Sequence, residues 1–122
     1  MELTELYEMI GGDYDQAIRV LRVDKLIDKH IRKLEKNGVV DELIAAGQDM
    51  DPTKLFESAH AAKGLCANLG LTDLSNKASE IAEEFRPGNA RTMSDAAVSE
   101  KIDEIAALYK RTIDGINLYA GE

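Results

Sequence analysis

Apolar residues in this 122-residue chain recur at intervals of three and four, the period of helices that bury one face, and not at the alternation of strands. An N-terminal segment from Glu2 to Ile10 is ended by Gly11-Gly12. Asp13, with Gln16 three residues on, then predicts a short helix opened by a capping box. Val23, Ile27, Ile31 and Leu34 form the stripe of a helix over Val23 to Lys36, which Asn37-Gly38 stops. A shorter helix from Val39 to Ala46 would bury Val40, Leu43 and Ile44 and give way to a polar turn from Gly47 to Asp51. Asp51-Pro52 reads as N-cap and first residue of a helix that runs to Gly70. Thr72 is expected to cap the next helix, whose stripe is Leu74, Ala78, Ile81 and Phe85, before Arg86-Pro87-Gly88-Asn89 breaks it. The last helix, from about Ser94 to Leu118, carries Val98, Ile102, Ile105, Tyr109, Ile113 and Ile116 along one side.

Composition narrows what such a set of helices can do. Aromatic residues make up 5% of the chain, tryptophan is absent and only two prolines interrupt it, so helices are favoured over a β-sandwich. The length suits a single domain over residues 1–122 with a core of its own. A net charge of −8 argues against nucleic acid or an anionic membrane as partner, because no basic stripe exists to release counterions. Cys66 is the only cysteine, which excludes a disulfide framework or a cysteine-rich metal site. No signal peptide or membrane span is visible, and a cytoplasmic location is expected.

The helix from Pro52 to Gly70 carries the chemistry. Taking about 100° per residue from His60, the residues Thr53, Phe56, Glu57, Lys63, Gly64 and Ala67 lie within roughly 60° of it. Leu55, Ser58, Ala59, Ala62, Leu65, Cys66 and Leu69 lie on the other side, so the imidazole points away from the core stripe. Glycine inside a helix is less favourable than alanine by about 1 kcal/mol. Gly64 therefore implies a gain elsewhere, and the gain available is the close approach of another surface beside His60. Lys63, at the i+3 position, adds a mobile cation to the same edge. A nucleophile, a cation and a cleared space thus share one face. His30 sits at the margin of the Val23/Ile27/Ile31/Leu34 stripe and reads as a boundary residue with no chemistry.

The run His60-Ala61-Ala62-Lys63-Gly64, followed by Asn68-Leu69-Gly70-Leu71, resembles the signature of histidine-containing phosphotransfer (HPt) domains, and with the Gly11-Gly12-Asp13-Tyr14 entry the resemblance covers most of the chain. It implies an all-α fold, an antiparallel up-and-down four-helix bundle with short additional N-terminal helices. It also implies a monomer that relays a phosphoryl group between aspartyl-phosphate receiver domains, with a hybrid sensor kinase as a further possible partner. Carried over by position, His60 would be phosphorylated, Lys63 would stabilise the charge and Gly64 would clear space for the partner. Phe56, Glu57, Ala67 and Leu71 would form the partner-binding surface, with a groove of the bundle as the alternative place for Phe56. Some members supply a glutamine from the following helix, but the corresponding stretch here is Ala82-Glu83-Glu84.

An exposed imidazole at neutral pH offers a ring lone pair to phosphorus without a separate base, and phosphoryl transfer depends chiefly on positioning and charge neutralisation. No cofactor is expected on this chain, and Mg²⁺ would come with the receiver. Neither a Walker-type loop nor a glycine-rich kinase loop is present, and sensor kinases commonly follow their histidine with an acidic residue where Ala61 stands. The chain reads as a phosphoryl carrier without autonomous kinase activity. Glu57-Ser58-Ala59-His60 matches the Glu-x-x-His spacing of di-iron bundles, but no second copy exists, since Ile27 stands three before His30. The competing reading is a helical adaptor that binds a receiver domain without carrying phosphate.

Overall fold

The computed structural model describes residues 1–121, in which every regular element is a helix. In chain order these are α1 (Leu3–Ile10), α2 (Tyr14–Leu21), α3 (Asp24–Arg32), α4 (Leu34–Asn37), α5 (Val39–Asp49), α6 (Pro52–Asn68), α7 (Thr72–Phe85) and α8 (Asp95–Ala120). The four longest close a ring: α5 lies beside α6 and α8, and α7 lies beside the same two. Helices α1 and α3 pack on α8, and α2 bridges α3 and α6. The expected helical bundle with short N-terminal helices is therefore the observed architecture. Its core joins Leu43 of α5, Leu55, Ala59 and Ala62 of α6, Ala78 and Ile81 of α7, and Val98 and Ile105 of α8, all fully or almost fully buried. Fully burying one such aliphatic side chain stabilises the fold by about 1.5–3 kcal/mol.

The capping residues set most boundaries. The Asp51 carboxylate accepts from the backbone N–H groups of Thr53 at 3.1 Å and Lys54 at 3.2 Å, with Pro52 in the first turn. Ser94 accepts from Ala97 N at 3.1 Å and opens α8. Asp13 accepts from Gln16 N at 3.0 Å, but the reciprocal half of the expected box is replaced, because Asp13 N donates to the Gly70 carbonyl at 2.7 Å.

Five expectations are corrected. Val23 is 51% exposed, because it is the extended N-cap of α3 and not part of its stripe. The helix expected over Val23 to Lys36 breaks at Lys33, leaving the single turn α4. The polar turn from Gly47 to Asp51 is largely helical, since α5 continues to Asp49 and ends with Met50 in the left-handed region (φ 51°). Gly47 lets α5 meet α8: a Cβ there would lie 2.7 Å from Ile102 Cγ1. Ile44 is only partly buried. Thr72 does not cap α7, because Leu71 occupies the N-cap position without a side-chain bond.

Among the described residues, buried polar side chains are few and each is bonded. Glu84, 6% exposed, accepts from Arg91 Nε (2.9 Å), Thr92 N (2.9 Å), Thr92 Oγ1 (2.7 Å) and Met93 N (2.8 Å), so one carboxylate organises the connection from α7 to α8. These donors, the Met93 N–H foremost, hold its carboxyl down at about 2.

Candidate functional site

The C-terminal end of α6 is fixed before the histidine can be. Gly70 takes φ 70°, Gly70 N donates to the Ala67 carbonyl at 3.1 Å, and Leu71 N donates to the Cys66 carbonyl at 2.8 Å. This is the Schellman arrangement, in which the residue after the left-handed glycine packs back against the last turn. No side chain fits at Gly70, because a Cβ would come within 2.1 Å of the Asp13 carbonyl oxygen. The buried Tyr7 hydroxyl donates to the Leu69 carbonyl at 2.7 Å, tying α1 to the same corner. A third tie joins α6 to α7: Ser75 Oγ donates to the Lys63 carbonyl at 3.0 Å.

On this rigid helix His60 is exposed. Its ring stacks on that of Phe56, one turn earlier, with centroids 5.7 Å apart and an interplanar angle of 19°. Phe56 is half-buried, packing against the core while its ring stacks on His60. Lys63 is half-buried on the same face. Gly64 is exposed, and a Cβ built there meets no heavy atom within 4 Å, so the space beside the histidine is open. Glu57 is exposed and Ala67 half-buried.

Leu71 does not belong to this surface. It is 4% exposed and lies in the core. The left-handed turn at Gly70 that ends α6 also swings the next side chain inward. Its burial contradicts the expectation that Leu71 meets a partner, and the α6 face consists of His60, Lys63, Gly64, Phe56, Glu57 and Ala67.

The structure adds two residues from the end of α7. Arg86 sits with its guanidinium carbon 5.3 Å from the centroid of the Phe56 ring, within range of a cation–π contact. Its Nη2 also pairs with Glu83 Oε1 at 2.7 Å. Arg86 holds the Glu83 carboxyl below the ordinary range, with smaller contributions from Lys63 and His60, which places Glu83 within the electrostatic reach of both. Of the stretch Ala82-Glu83-Glu84, Ala82 is fully buried and Glu84 is engaged with the α7–α8 connection, so only Glu83 faces the site. The sequence carries two signals: Ala82-Glu83-Glu84 stands where some HPt domains supply a glutamine, and Glu83 and Arg86 have i,i+3 spacing beside the helix break, which does not by itself name a partner helix.

The other flank of the face differs in chemistry. A groove of about 410 Å³ runs between α5 and α6, lined by Glu42, Ala46, Asp49, Lys54, Glu57 and Ala61 among others. His60 thus lies between an Arg/Lys-bearing flank toward α7 and a carboxylate-rich flank toward α5. Among the described residues no cluster of three His, Cys, Asp or Glu side chains forms a metal site, and no helix is long and apolar enough to cross a membrane.

Both histidines of the bundle are exposed, but of the two only His60 has a lysine and an unobstructed glycine in the following turn of its helix. Residues 26–114 match the family model described as Hpt domain, and the chain belongs to that family. Hpt domains act in phosphotransfer within two-component phosphorelays and meet receiver domains and kinases there. No curated protein and no solved structure matches the chain.

Proposed function

We propose that this chain takes a phosphoryl group onto His60 from an aspartyl phosphate of one receiver domain and passes it to the aspartate of another. The observation that carries the reading is the geometry of one turn of α6: an exposed imidazole, Lys63 on the same face and open space above Gly64. In the forward step the imidazole lone pair forms a P–N bond while the acyl P–O bond breaks, and the electron pair leaves with the receiver's carboxylate. The remaining ring N–H gives its proton to solvent. Lys63 offsets part of the charge that builds on the phosphoryl oxygens, and the receiver contributes Mg²⁺ and the acceptor carboxylate. Residues 1–122 act as one domain, as a monomer, in the cytoplasm.

Incubation with a phosphorylated receiver and Mg²⁺ tests this directly. An acid-labile phosphate is expected on the wild type and on His30→Gln, and none on His60→Gln. Because His60 is exposed, that substitution should change stability by no more than about 0.5 kcal/mol. Label that survives His60→Gln overturns the site. A receiver that binds the wild type without labelling it identifies the adaptor instead.

A further inference from the structure

Glu83 is the single carboxylate that the end of α7 directs at the His60 face. Its side chain is exposed and makes no core contact, and its hydrogen bonds go to Arg86: Nη2 to Oε1 at 2.7 Å, Nε to Oε1 at 3.2 Å and Nε to Oε2 at 3.3 Å. Arg86 in turn covers the Phe56 ring, which stacks on His60. Glu83, Arg86, Phe56 and His60 therefore form one contiguous strip across two helices. In the unmodified protein the charges around His60 are matched, with Arg86 and Lys63 as cations and Glu83 and the exposed Glu57 as anions.

Phosphorylation upsets that balance, since a phosphoryl group adds a charge of about −1.5 to −2. Glu83 then repels the new anion and competes with it for Arg86. We propose that Glu83 sets the transfer equilibrium of His60, raising the free energy of the phosphohistidine state so that the group is given up more readily than it would be beside a neutral residue. The inference rests on the reading of His60 as the phosphoryl carrier. Glu83 takes no part in bond-making. It acts through charge, on the phosphoryl group and on the availability of Arg86.

The test needs no receiver. Phosphoramidate passes its phosphoryl group to imidazole, breaking one P–N bond, forming another and releasing ammonia. In a His30→Gln background, which removes the other exposed imidazole, the ratio of phosphorylated to free protein at a fixed phosphoramidate/ammonium ratio, read by intact mass, therefore reports the equilibrium at His60. Glu83→Gln should raise that ratio about three- to tenfold, the scale of one exposed charge acting on a doubly charged group. Glu83→Asp, which keeps the charge, should stay within about twofold of wild type, and 1 M salt should shrink the Gln effect as screening demands. Thermal melting confirms that both variants are folded, as expected for an exposed side chain with only a local partner. A ratio unchanged or lowered in Glu83→Gln, or raised equally in both variants, overturns the proposal. If those results come with label that is lost in His60→Gln, the carrier reading stands and only the role of Glu83 falls. Label that survives His60→Gln removes both.

Discussion

At the scale of single residues the site turns on what Gly64 leaves out. Since nothing lies within 4 Å of a Cβ built there, a longer side chain extends into solvent and not into the bundle. Gly64→Gln should therefore keep stability or raise it by up to about 1 kcal/mol, because glutamine is the better helix former. Transfer from a phosphorylated receiver should nevertheless fall sharply, since the added side chain fills the approach to His60. Thermal melting and a transfer rate on the same variant settle the matter, and wild-type transfer by a stable variant would remove Gly64 from the docking surface. Lys63 acts differently. Its carbonyl accepts from Ser75 Oγ, which fixes the backbone and leaves the side chain as the part whose removal tests a charge role. Lys63→Ala should slow transfer or shorten the life of the phosphohistidine and leave receiver affinity less affected. Unchanged kinetics and lifetime would reduce Lys63 to a solvated lysine.

At the scale of elements, α6 holds its register because both ends are locked: Asp51 at the start, and Gly70 with Tyr7 and Leu71 at the finish. Leu71→Ala should accordingly cost about 2–5 kcal/mol, as for other buried leucines. Receiver binding measured below the melting transition should be little changed, and the reverse pattern would return Leu71 to the surface. This residue also marks where sequence reading stops. The start of α6 was legible because an Asp-Pro cap is a local signal, and the His60 face was legible because 3.6-residue periodicity holds within a helix. Leu71 lies just beyond that helix, where a left-handed glycine resets the direction of every later side chain. Gly47 misled for a related reason: glycine marks a turn or a close approach equally well, and only the position of Ile102 on α8 decides. The resemblance pointed to Ala82-Glu83-Glu84, but picking out Glu83 from that stretch and adding Arg86 depend on how α7 lies against α6 and not on either helix alone.

At the scale of the whole molecule, Glu84 couples stability to acidity. The Met93 N–H, then the Thr92 hydroxyl, the Arg91 guanidinium and the Thr92 N–H, all stabilise its charged form, and together they outweigh the cost of burial. They hold the carboxyl at about 2 in the folded chain, against 4.5 for an unperturbed glutamate. A carboxyl depressed on folding contributes its full stabilisation above the unfolded value, and that contribution is lost as the pH falls toward the folded value, because only the unfolded chain takes up a proton in between. The window is therefore about pH 4.5 down to about 2. Asp28, held down by the Tyr119 hydroxyl and then by Arg32, and Glu83, held down by Arg86, titrate with the same sign, so acid sensitivity of the wild type alone does not isolate Glu84. The difference between wild type and Glu84→Gln does. The glutamine variant should melt lower than wild type at neutral pH, since a neutral amide replaces an acceptor that serves four donors. The gap in melting temperature should hold from neutrality to about pH 4.5 and then close steadily toward pH 2, because the variant has no proton to gain at this position. A gap that stays constant across the window would mean that the charge of Glu84 is not what fastens α7 to α8.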